Sequence, residues 1–505
     1  MSRSLTRIRS CGRHLRTGLI AVLAMTLAVA PSASGQESTA DFDLQAARSI
    51  AMTPSWLSSD HPTTDAIPEI TIDVAIANRP EAPETVDLSG TMSLGRLPEL
   101  ALLTGRLPLR LYPNAMQYGA ADMAVTSIQV DGREVAPVTD DDPTTIWIPV
   151  QSDTSTVSLT FTATVSPRST ASFGIFSAAP DGSSMLLGHW YPMPVPVLDD
   201  EWVLHPISEI GDPTLAAFAD YEVTIDAPAA LTVVATGTRT PSGPSDPLTF
   251  VSGPVREVVL SLGEGWVPLS QDVGETQITV WQSAATAAGA PAVLDAAAAA
   301  LAIYNDAFGA YPYRELDIIP YELHGASGME FPGLIVLSPS YWTTPLTPFA
   351  ESVVAHEVAH QWWYGLVAND QYVAAFLDEG ISQMVGTQFY FEERYGTERG
   401  DAMFDSQAGS LFRTSGGLNA IRSPGLPIED YATMEEYFIS VYAGGGMAFH
   451  ELEDTIGREA FANGLRSLVT DAAFSLVTED QFRIAWEDSC GCDLTTFWAT
   501  WFGSS

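Results

Sequence analysis

The sequence contains no lysine, so its 22 basic residues are all arginine, against 62 acidic residues in a chain of 505. The formal net charge is −40. Binding to phosphate backbones or to anionic lipid surfaces requires clustered Lys and Arg, so this balance argues against a general nucleic-acid binder and against binding to anionic membranes. Hydrophobic residues still make up 46% of the chain, which is enough for packed cores and excludes a disordered polyanion.

Cysteine is also scarce. The chain has three cysteines, of which Cys11 lies near the N-terminus and Cys490 and Cys492 flank one glycine. Two cysteines without a neighbouring histidine are too few for a structural zinc site. We assign Cys490 and Cys492 to a turn, oxidised or reduced, and give them no chemistry.

Beyond its N-terminal part, the sequence has no apolar run that reaches the length of about 18 residues needed to span a membrane. At the N-terminus, five arginines precede an apolar run at 18–30, and small residues follow at 31–35. These are the three parts of a secretory signal peptide. We predict that residues 1–35 are this signal and that the mature protein is secreted, periplasmic or held in the cell envelope without stable membrane insertion. An uncleaved anchor is the alternative.

The rest of the chain divides into two parts with different patterns. After a Ser/Thr/Pro-rich lead, predicted to be flexible over residues 36–65, apolar residues such as Ile70 and Ile72 alternate with polar or smaller ones. This alternation is typical of half-buried strands and predicts an all-β, sandwich-like N-terminal domain over residues 66–270. Ala-rich and amphipathic segments then predict a mainly helical, α+β domain over residues 271–505.

The most informative motif is H-E-x-x-H, from His356 through Glu357 to His360. Residues four apart lie on one face of a helix, so both imidazoles can reach one metal ion. Glu357 is turned about 100° from His356, toward a water molecule at that metal. A buried pair of core histidines is the alternative interpretation.

A third ligand follows at a suitable distance along the chain. Glu379 follows His360 after 18 intervening residues, at the start of a second predicted helix, and Asn369-Asp370 supply the turn between the two helices. Two His and one Glu leave a fourth zinc position open, which is the arrangement of a catalytic zinc site.

These residues resemble the gluzincin spacing, HExxH-x18-E, of the aminopeptidase N-like zinc metallopeptidases. The segment 327–331 (S-G-M-E-F) resembles the family's exopeptidase motif G-x-M-E-N, and Tyr437 and Tyr442 resemble the tyrosines of Y-x-x-x-x-Y-x-K-G. The segment 188–192 (G-H-W-Y-P) is similar to one in bacterial members. The resemblance covers most of residues 66–505.

The resemblance implies a thermolysin-like gluzincin catalytic domain and one Zn²⁺ per chain, bound by His356, His360 and Glu379. It further implies a metallopeptidase, above all an aminopeptidase that hydrolyses N-terminal residues of peptides through a zinc-activated water. Glu357 would accept a proton from the water and deliver it to the leaving nitrogen. Tyr442 would donate its hydroxyl to the tetrahedral oxyanion.

Glu330 is the candidate for binding the substrate's α-ammonium, because a carboxylate beside a zinc site is costly unless a cation accompanies it. Backbone groups of Gly328 and Met329 are expected to pair with the peptide, and Tyr437 is a further candidate for substrate contact. Gln383, one turn into the second helix, is expected to support a metal ligand.

Three positions depart from the family's motifs. Ser327 replaces a glycine, Phe331 replaces an asparagine, and Gly444 replaces a lysine. None of them removes a zinc ligand or the general base, so the departures affect substrate binding rather than the predicted chemistry.

Two other functions remain open from the sequence. A gluzincin endopeptidase, or another hydrolase of this group, would not need a free amine in its peptide substrate. A catalytically silent peptide-binding envelope protein would keep the fold without the reaction, although His356, Glu357, His360, Glu379 and Tyr442 are all present. Hydrolysis of N-acylated substrates would distinguish the first of these from an aminopeptidase, because an aminopeptidase needs the free amine that acylation removes.

The acidic composition predicts a salt-dependent stability. We expect the melting temperature to rise as NaCl increases from about 0.1 M to 2 M, because salt screens the repulsion between carboxylates. Most of the rise should occur below about 1 M, where the Debye length has shortened to about 3 Å. Differential scanning calorimetry measures this, and a melting temperature that is constant or falls with salt would contradict the prediction.

Overall fold

The structure is a computed structural model that describes residues 43–59, 67–79, 82–118, 121–139, 141–165, 171–212, 214–241, 243 and 246–503. The predicted signal peptide, residues 1–35, lies outside the described residues. The described residues all belong to one compact unit. Those before Val267 are called the β region, and residues 267–503 are called the helical region.

The β region is built around one large sheet. Its strands are antiparallel to their neighbours except for one parallel pair, Glu69–Arg79 with Asp220–Asp226. The predicted alternation is confirmed, since Ile70 and Ile72 are almost fully buried. In sheet order the strands are Thr238–Arg239, Leu248–Val251, Asp220–Asp226, Glu69–Arg79, Ala82–Gly95, Thr156–Val165, Asp122–Val130 and Arg133–Glu134.

The β region also contains two four-stranded sheets, a two-stranded ribbon and the short helix Glu99–Thr104. The prediction of a sheet-rich N-terminal part is confirmed, although the described strands form more than the two sheets of a simple sandwich. The first small sheet contains Leu231–Ala235, Leu260–Glu264, Ser184–Leu187 and Phe176–Ala178; the second contains Met193–Pro194, Arg106–Arg110, Thr145–Pro149 and Val138–Thr139; the ribbon pairs Val197–Leu198 with Glu201–Trp202.

Part of the segment predicted to be a flexible lead is helical and packed. It forms the helices Leu44–Ala51 and Pro54–Leu57, the first capped by the Asp43 side chain. The guanidinium of Arg48 makes two hydrogen bonds to Asp220, at 2.9 and 2.6 Å, and Trp56 is only 5% exposed. We predicted flexibility here from the Ser/Thr/Pro-rich composition. The prediction was wrong for this part because contacts with residues far along the chain leave no local pattern in the sequence.

The helical region begins with a five-stranded mixed sheet. Its order is Val267–Val273, Thr276–Gln282, Glu315–Pro320, Leu334–Leu337 and, at the edge, Gly328–Met329. The edge strand runs antiparallel to its neighbour. The backbone of the S-G-M-E-F segment is therefore held at one edge of a sheet, beside the first helix of the metal motif.

Helices form most of the remaining chain, which confirms the predicted helical C-terminal part. Thr347 caps the helix that opens with Pro348, and Thr478 with Gln481 forms a capping box. Cys490 and Cys492 form a disulfide. The α-helices are Ala290–Phe308, Pro348–Ala359, Gln371–Ala374, Glu379–Met384, Tyr390–Tyr395, Thr397–Phe404, Ser410–Thr414, Met434–Tyr437, Gly445–Ile456, Arg458–Ala472, Glu479–Cys490 and Thr495–Trp501, with π-helical turns at Val385–Phe389, Asp405–Gly409 and Phe438–Gly444 and a short parallel strand pair, Val367–Ala368 with Ser475–Leu476.

Within the described part of the chain, no helix combines the length and the apolar character needed to cross a membrane.

The Arg48–Asp220 pair predicts that the N-terminal helices contribute to stability. The Asp220 side chain is fully buried, so Arg48→Met leaves a buried carboxylate without its cation, and we expect the free energy of unfolding to fall by about 3 kcal/mol. Arg413→Met is the matched control, because its pair with Asp405 is more than half exposed (57% and 53%) and should be worth less than about 1 kcal/mol. Urea unfolding followed by fluorescence measures both, and equal effects of the two variants would refute the prediction.

Candidate metal centre and active-site cavity

The two motif histidines are brought together by the helix Pro348–Ala359, called here the histidine helix. His356 lies in its last turn and His360 caps its C-terminal end, with the two Nε2 atoms 3.0 Å apart. The spacing of four residues thus places both imidazoles on one face, as predicted. The two rings meet almost edge to face, at an interplanar angle of 80°.

The orientation of His360 is held from behind. Its Nδ1 atom is 3.0 Å from the backbone carbonyl oxygen of Trp363, to which it donates as the Nδ1–H tautomer. That tautomer leaves the lone pair of Nε2 facing the centre, which is the form that a metal ion requires. His360 is 1% exposed, so this arrangement is shielded from solvent.

The third ligand comes from the next long helical segment. Glu379 is the first residue of the helix Glu379–Met384, called the glutamate helix, and its backbone N–H donates to Oδ1 of Asp378 at 2.7 Å. Oε2 of Glu379 lies 3.3 Å from Nε2 of His356 and 3.2 Å from Nε2 of His360. Among the described residues, these three side chains are the only His, Cys, Asp or Glu group that could hold a metal ion.

The donor set fits zinc. Two imidazole nitrogens and one carboxylate oxygen within 4.8 Å of one another match the three protein ligands of a catalytic zinc site. Burial alone would raise the pKa of Glu379, but the imidazoles of His360 and His356 hold that pKa below its usual value. The carboxylate is therefore ready to bind as an anion. Glu357 Oε2, also buried, has no hydrogen-bond partner among the described residues, as expected for a group that acts on a water molecule.

A close helix contact places a tyrosine over this centre. A Cβ atom at Gly380 would lie 3.0 Å from the carbonyl carbon of Gly445, so the backbones touch where glycine faces glycine. The π-helical turn Phe438–Gly444, called the tyrosine turn, directly precedes Gly445. In consequence the hydroxyl of Tyr442 reaches Glu379 and donates a hydrogen bond to its Oε1 atom.

The tyrosine turn also explains the spacing of the two motif tyrosines. In an α-helix, residues five apart point about 140° away from each other. A π-turn closes i→i+5 hydrogen bonds, which brings such residues to one side. Tyr437 and Tyr442 accordingly both line the same cavity, with ring centroids 5.9 Å apart.

The sheet edge supplies the opposite wall. A Cβ atom at Gly328 would lie 2.3 Å from Oε1 of Glu357, so glycine is required for the general-base candidate to occupy its position. Met329 and Glu330 follow, and Glu330 is 6% exposed. Burial raises the pKa of the Glu330 carboxyl well above its usual value, although His360 opposes this.

These walls enclose about 990 Å³ of empty space, open mouth included. Every predicted site residue lines this active-site cavity except His360, which lies behind it as a ligand. Gln383 lines the cavity as well. In the described part of the chain, however, its side chain makes no hydrogen bond to any of the three metal ligands, so the structure gives no support to its predicted role.

Sequence reasoning missed Asp212, which enters the cavity from the β region. Its Oδ1 atom accepts a hydrogen bond from the Thr214 N–H at 2.9 Å. Burial raises the pKa of Asp212, while these Thr214 contacts and the charge of Arg256 oppose the rise. The sequence G-D-P at this position signals only a turn, and nothing local connects it to a metal motif more than 140 residues away.

Arg256, also unrecognised in the sequence, is fully buried behind the centre. Its guanidinium lies 4.3 Å from the ring centroid of Tyr364 and donates to Oε1 of Gln371 at 3.3 Å. Its charge also lowers the pKa values of Glu257 and Asp378, which burial raises to about 7 in each case. The β region thus supplies both an acid in the cavity and the cation that balances the acids behind it.

A helix-borne His₂Glu donor set, with a glutamate next to the first histidine and a tyrosine over the centre, defines a zinc-metallopeptidase type of site. Residues 292–501 match the model described as "Peptidase family M1 domain". This part of the chain is therefore similar to the domain of peptidase family M1, the aminopeptidase N family.

Curated relatives agree with this assignment. Aminopeptidase M1-A of Oryza sativa subsp. japonica is 24% identical over 244 residues, which are 45% of this chain and 26% of the relative. Aminopeptidase N of Lactococcus lactis subsp. lactis is 27% identical over 227 residues, covering 41% of this chain and 26% of the relative. The matches thus span about a quarter of the length of these relatives.

Solved structures share the fold. The M1 zinc metallopeptidase from Deinococcus radiodurans has a TM-score of 0.63 at 20% identity, covering 87% of this chain and 94% of that one. The aminopeptidase A of Legionella pneumophila, in complex with aspartic acid, has a TM-score of 0.61 at 16% identity, covering 88% and 50%. The match to the family model and the donor set of the site indicate a zinc cofactor.

The ligand geometry predicts one zinc ion per chain. His360→Gln removes one of three ligands, so we expect zinc in the purified protein, measured by inductively coupled plasma mass spectrometry, to fall from about one ion per chain to near zero. The bound ion should also raise the melting temperature of the wild type, since a ligand at about 100 times its Kd adds about 2.7 kcal/mol to the free energy of unfolding. His324→Gln is the control, because His324 is exposed and outside the ligand group. Full zinc content in His360→Gln would overturn the assignment.

Proposed function

We propose that the protein is an exported zinc aminopeptidase that removes residues one at a time from the N-termini of peptides. The observation that carries this proposal is the position of Glu330, a buried carboxylate in the wall of the cavity that contains the metal centre. The match to the family model and the aminopeptidases among the curated relatives support it.

Glu330 needs a cation that the chain does not provide within the cavity. No arginine is among the described residues that line it, and the other acids there, Asp212, Glu357 and Glu379, repel a further negative charge. A substrate α-ammonium would pair with Glu330 and remove the cost of burying an unpaired carboxylate. An internal peptide segment brings no such charge, which favours an aminopeptidase over an endopeptidase.

The remaining steps belong to side chains already described. Zinc, when bound by His356, His360 and Glu379, would activate water and polarise the scissile carbonyl. Glu357, whose Oε2 atom has no hydrogen-bond partner in the described part of the chain, accepts the water's proton and passes it to the leaving nitrogen. The hydroxyl of Tyr442, which donates to Glu379 in this structure, turns to the oxyanion as it forms.

Export is part of the proposal. The Arg-rich and apolar pattern of residues 1–35 supports a secretory signal. The disulfide between Cys490 and Cys492 is compatible with an oxidising compartment outside the cytosol.

Aminoacyl 4-nitroanilides and their N-acetylated forms test the proposal. The zinc-loaded wild type should release nitroaniline from the free-amine substrate only. Glu330→Gln should raise KM about ten- to hundredfold, because a hydrogen bond to a charged group is worth about 1.5–3 kcal/mol.

Glu322→Gln is the matched control, since Glu322 is exposed and lies outside the cavity lining. Equal hydrolysis of the acetylated and free substrates would instead assign an endopeptidase. A protein that binds zinc but cleaves neither substrate would indicate a silent peptide-binding protein.

A further inference from the structure

The residue that follows the second motif histidine is buried behind the site. Gln361 comes directly after His360 and is 1% exposed. Its backbone N–H donates to the carbonyl oxygen of Val358 at 3.2 Å, which continues the end of the histidine helix. The backbone of Gln361 is therefore fixed to the metal centre, and its side chain binds elsewhere.

The side chain of Gln361 binds the turn that carries Glu330. Its Nε2 atom donates to the carbonyl oxygens of Glu330 and Phe331, at 3.3 and 3.2 Å. Its Oε1 atom accepts from the Gly333 N–H at 2.9 Å and from the Tyr311 hydroxyl at 3.1 Å. A glutamine amide has two N–H donors and two acceptor lone pairs, so every hydrogen-bonding position of this one is used.

This turn, residues 330–333, is called the anchor turn. It follows the two-residue strand Gly328–Met329 at the edge of the sheet. Pro332 and Gly333, with a φ of 72° at the glycine, fit the two central positions of a type II turn. In the described part of the chain, Gln361 is the one side chain that hydrogen-bonds to the backbone of the anchor turn.

The amide of Gln361 thus connects two places that a substrate must reach together. In the proposed reaction, the N-terminal residue binds its α-ammonium at Glu330 while its carbonyl lies at the metal centre. A misplacement of about 1 Å between such groups can cost about 100-fold in rate. Because Gln361 binds backbone atoms, the connection does not depend on the side chain at Phe331, where the family's motif has asparagine.

We propose that Gln361 is a positioning residue for the aminopeptidase reaction, whose amide holds the anchor turn, and with it the Glu330 carboxylate, at a fixed place relative to the zinc-binding histidines. This inference rests on the function proposed above and adds what sets the spacing between the amine and the scissile carbonyl. Gln361 is not among the described residues that line the cavity, so it acts through Glu330 and not on the substrate. Its loss should weaken binding of the free amine, and only while Glu330 is there to bind it.

The test is a double-mutant cycle on the zinc-loaded protein with L-alanine 4-nitroanilide. Gln361→Met keeps the length of the side chain and removes its four hydrogen bonds, so we expect KM to rise about tenfold while kcat changes less than about threefold. In the Glu330→Gln background, the same substitution should change kcat/KM less than about twofold, because residues that act through one contact are not additive. Zinc content is measured in each preparation.

Tyr311→Phe is a milder variant that tests the proposal even if Gln361→Met fails to fold or to retain zinc. It removes one of the four hydrogen bonds, so KM should rise about threefold. Tyr221→Phe is the matched control, because Tyr221 is also buried and outside the cavity lining. Its hydroxyl accepts a hydrogen bond from the Tyr191 hydroxyl at 3.0 Å within the β region, and its kinetics should equal those of the wild type.

Three results would overturn the positioning role and leave the aminopeptidase standing. They are equal losses from Gln361→Met in both backgrounds, a fall in kcat with KM unchanged, and the same kinetics for Tyr311→Phe as for Tyr221→Phe. A wild type that does not hydrolyse the free-amine substrate, or that hydrolyses its acetylated form equally well, would overturn the proposed function and this inference with it.

Discussion

The approach of Glu379 to the two imidazoles is the contact on which the rest of the site depends. Its Oε2 atom lies within about 3.3 Å of both Nε2 atoms, in a place shielded from water. Two of the three members are held from behind, and the third, His356, lies in the last turn of the histidine helix. The Trp363 carbonyl holds His360, Asp378 holds the start of the glutamate helix, and the contact between Gly380 and Gly445 sets the distance to the tyrosine turn.

The parts of this arrangement that follow from local periodicity could be predicted from the sequence. Helical spacing places His356 and His360 on one face, and turn residues followed by Glu379 indicate a second helix that returns to them. Alternation at Ile70 and Ile72 likewise identifies strands, because the period of two is a local property of the chain. The resemblance to a known family then connected these elements with Glu330 and Tyr442.

Other features had no local signal. Asp212 and Arg256 act on the centre only because the β region packs against the helical region, and residues so far apart in the chain leave no pattern in it. The tyrosine turn is π-helical, and amino-acid composition does not predict this conformation. Only the resemblance to the family indicated that Tyr437 and Tyr442 belong to one site. Burial of the N-terminal helices depends similarly on the distant partner Asp220.

The cavity walls have a consequence for the order in which the protein is made. Their residues extend along the chain from Phe173 to Tyr442, so the ribosome synthesises the first wall residue long before the last one. The β region emerges first, with Asp212 and Arg256 lacking their later neighbours, and the His₂Glu group follows without its tyrosine. A nascent chain that ends before Tyr442 therefore lacks part of the cavity wall.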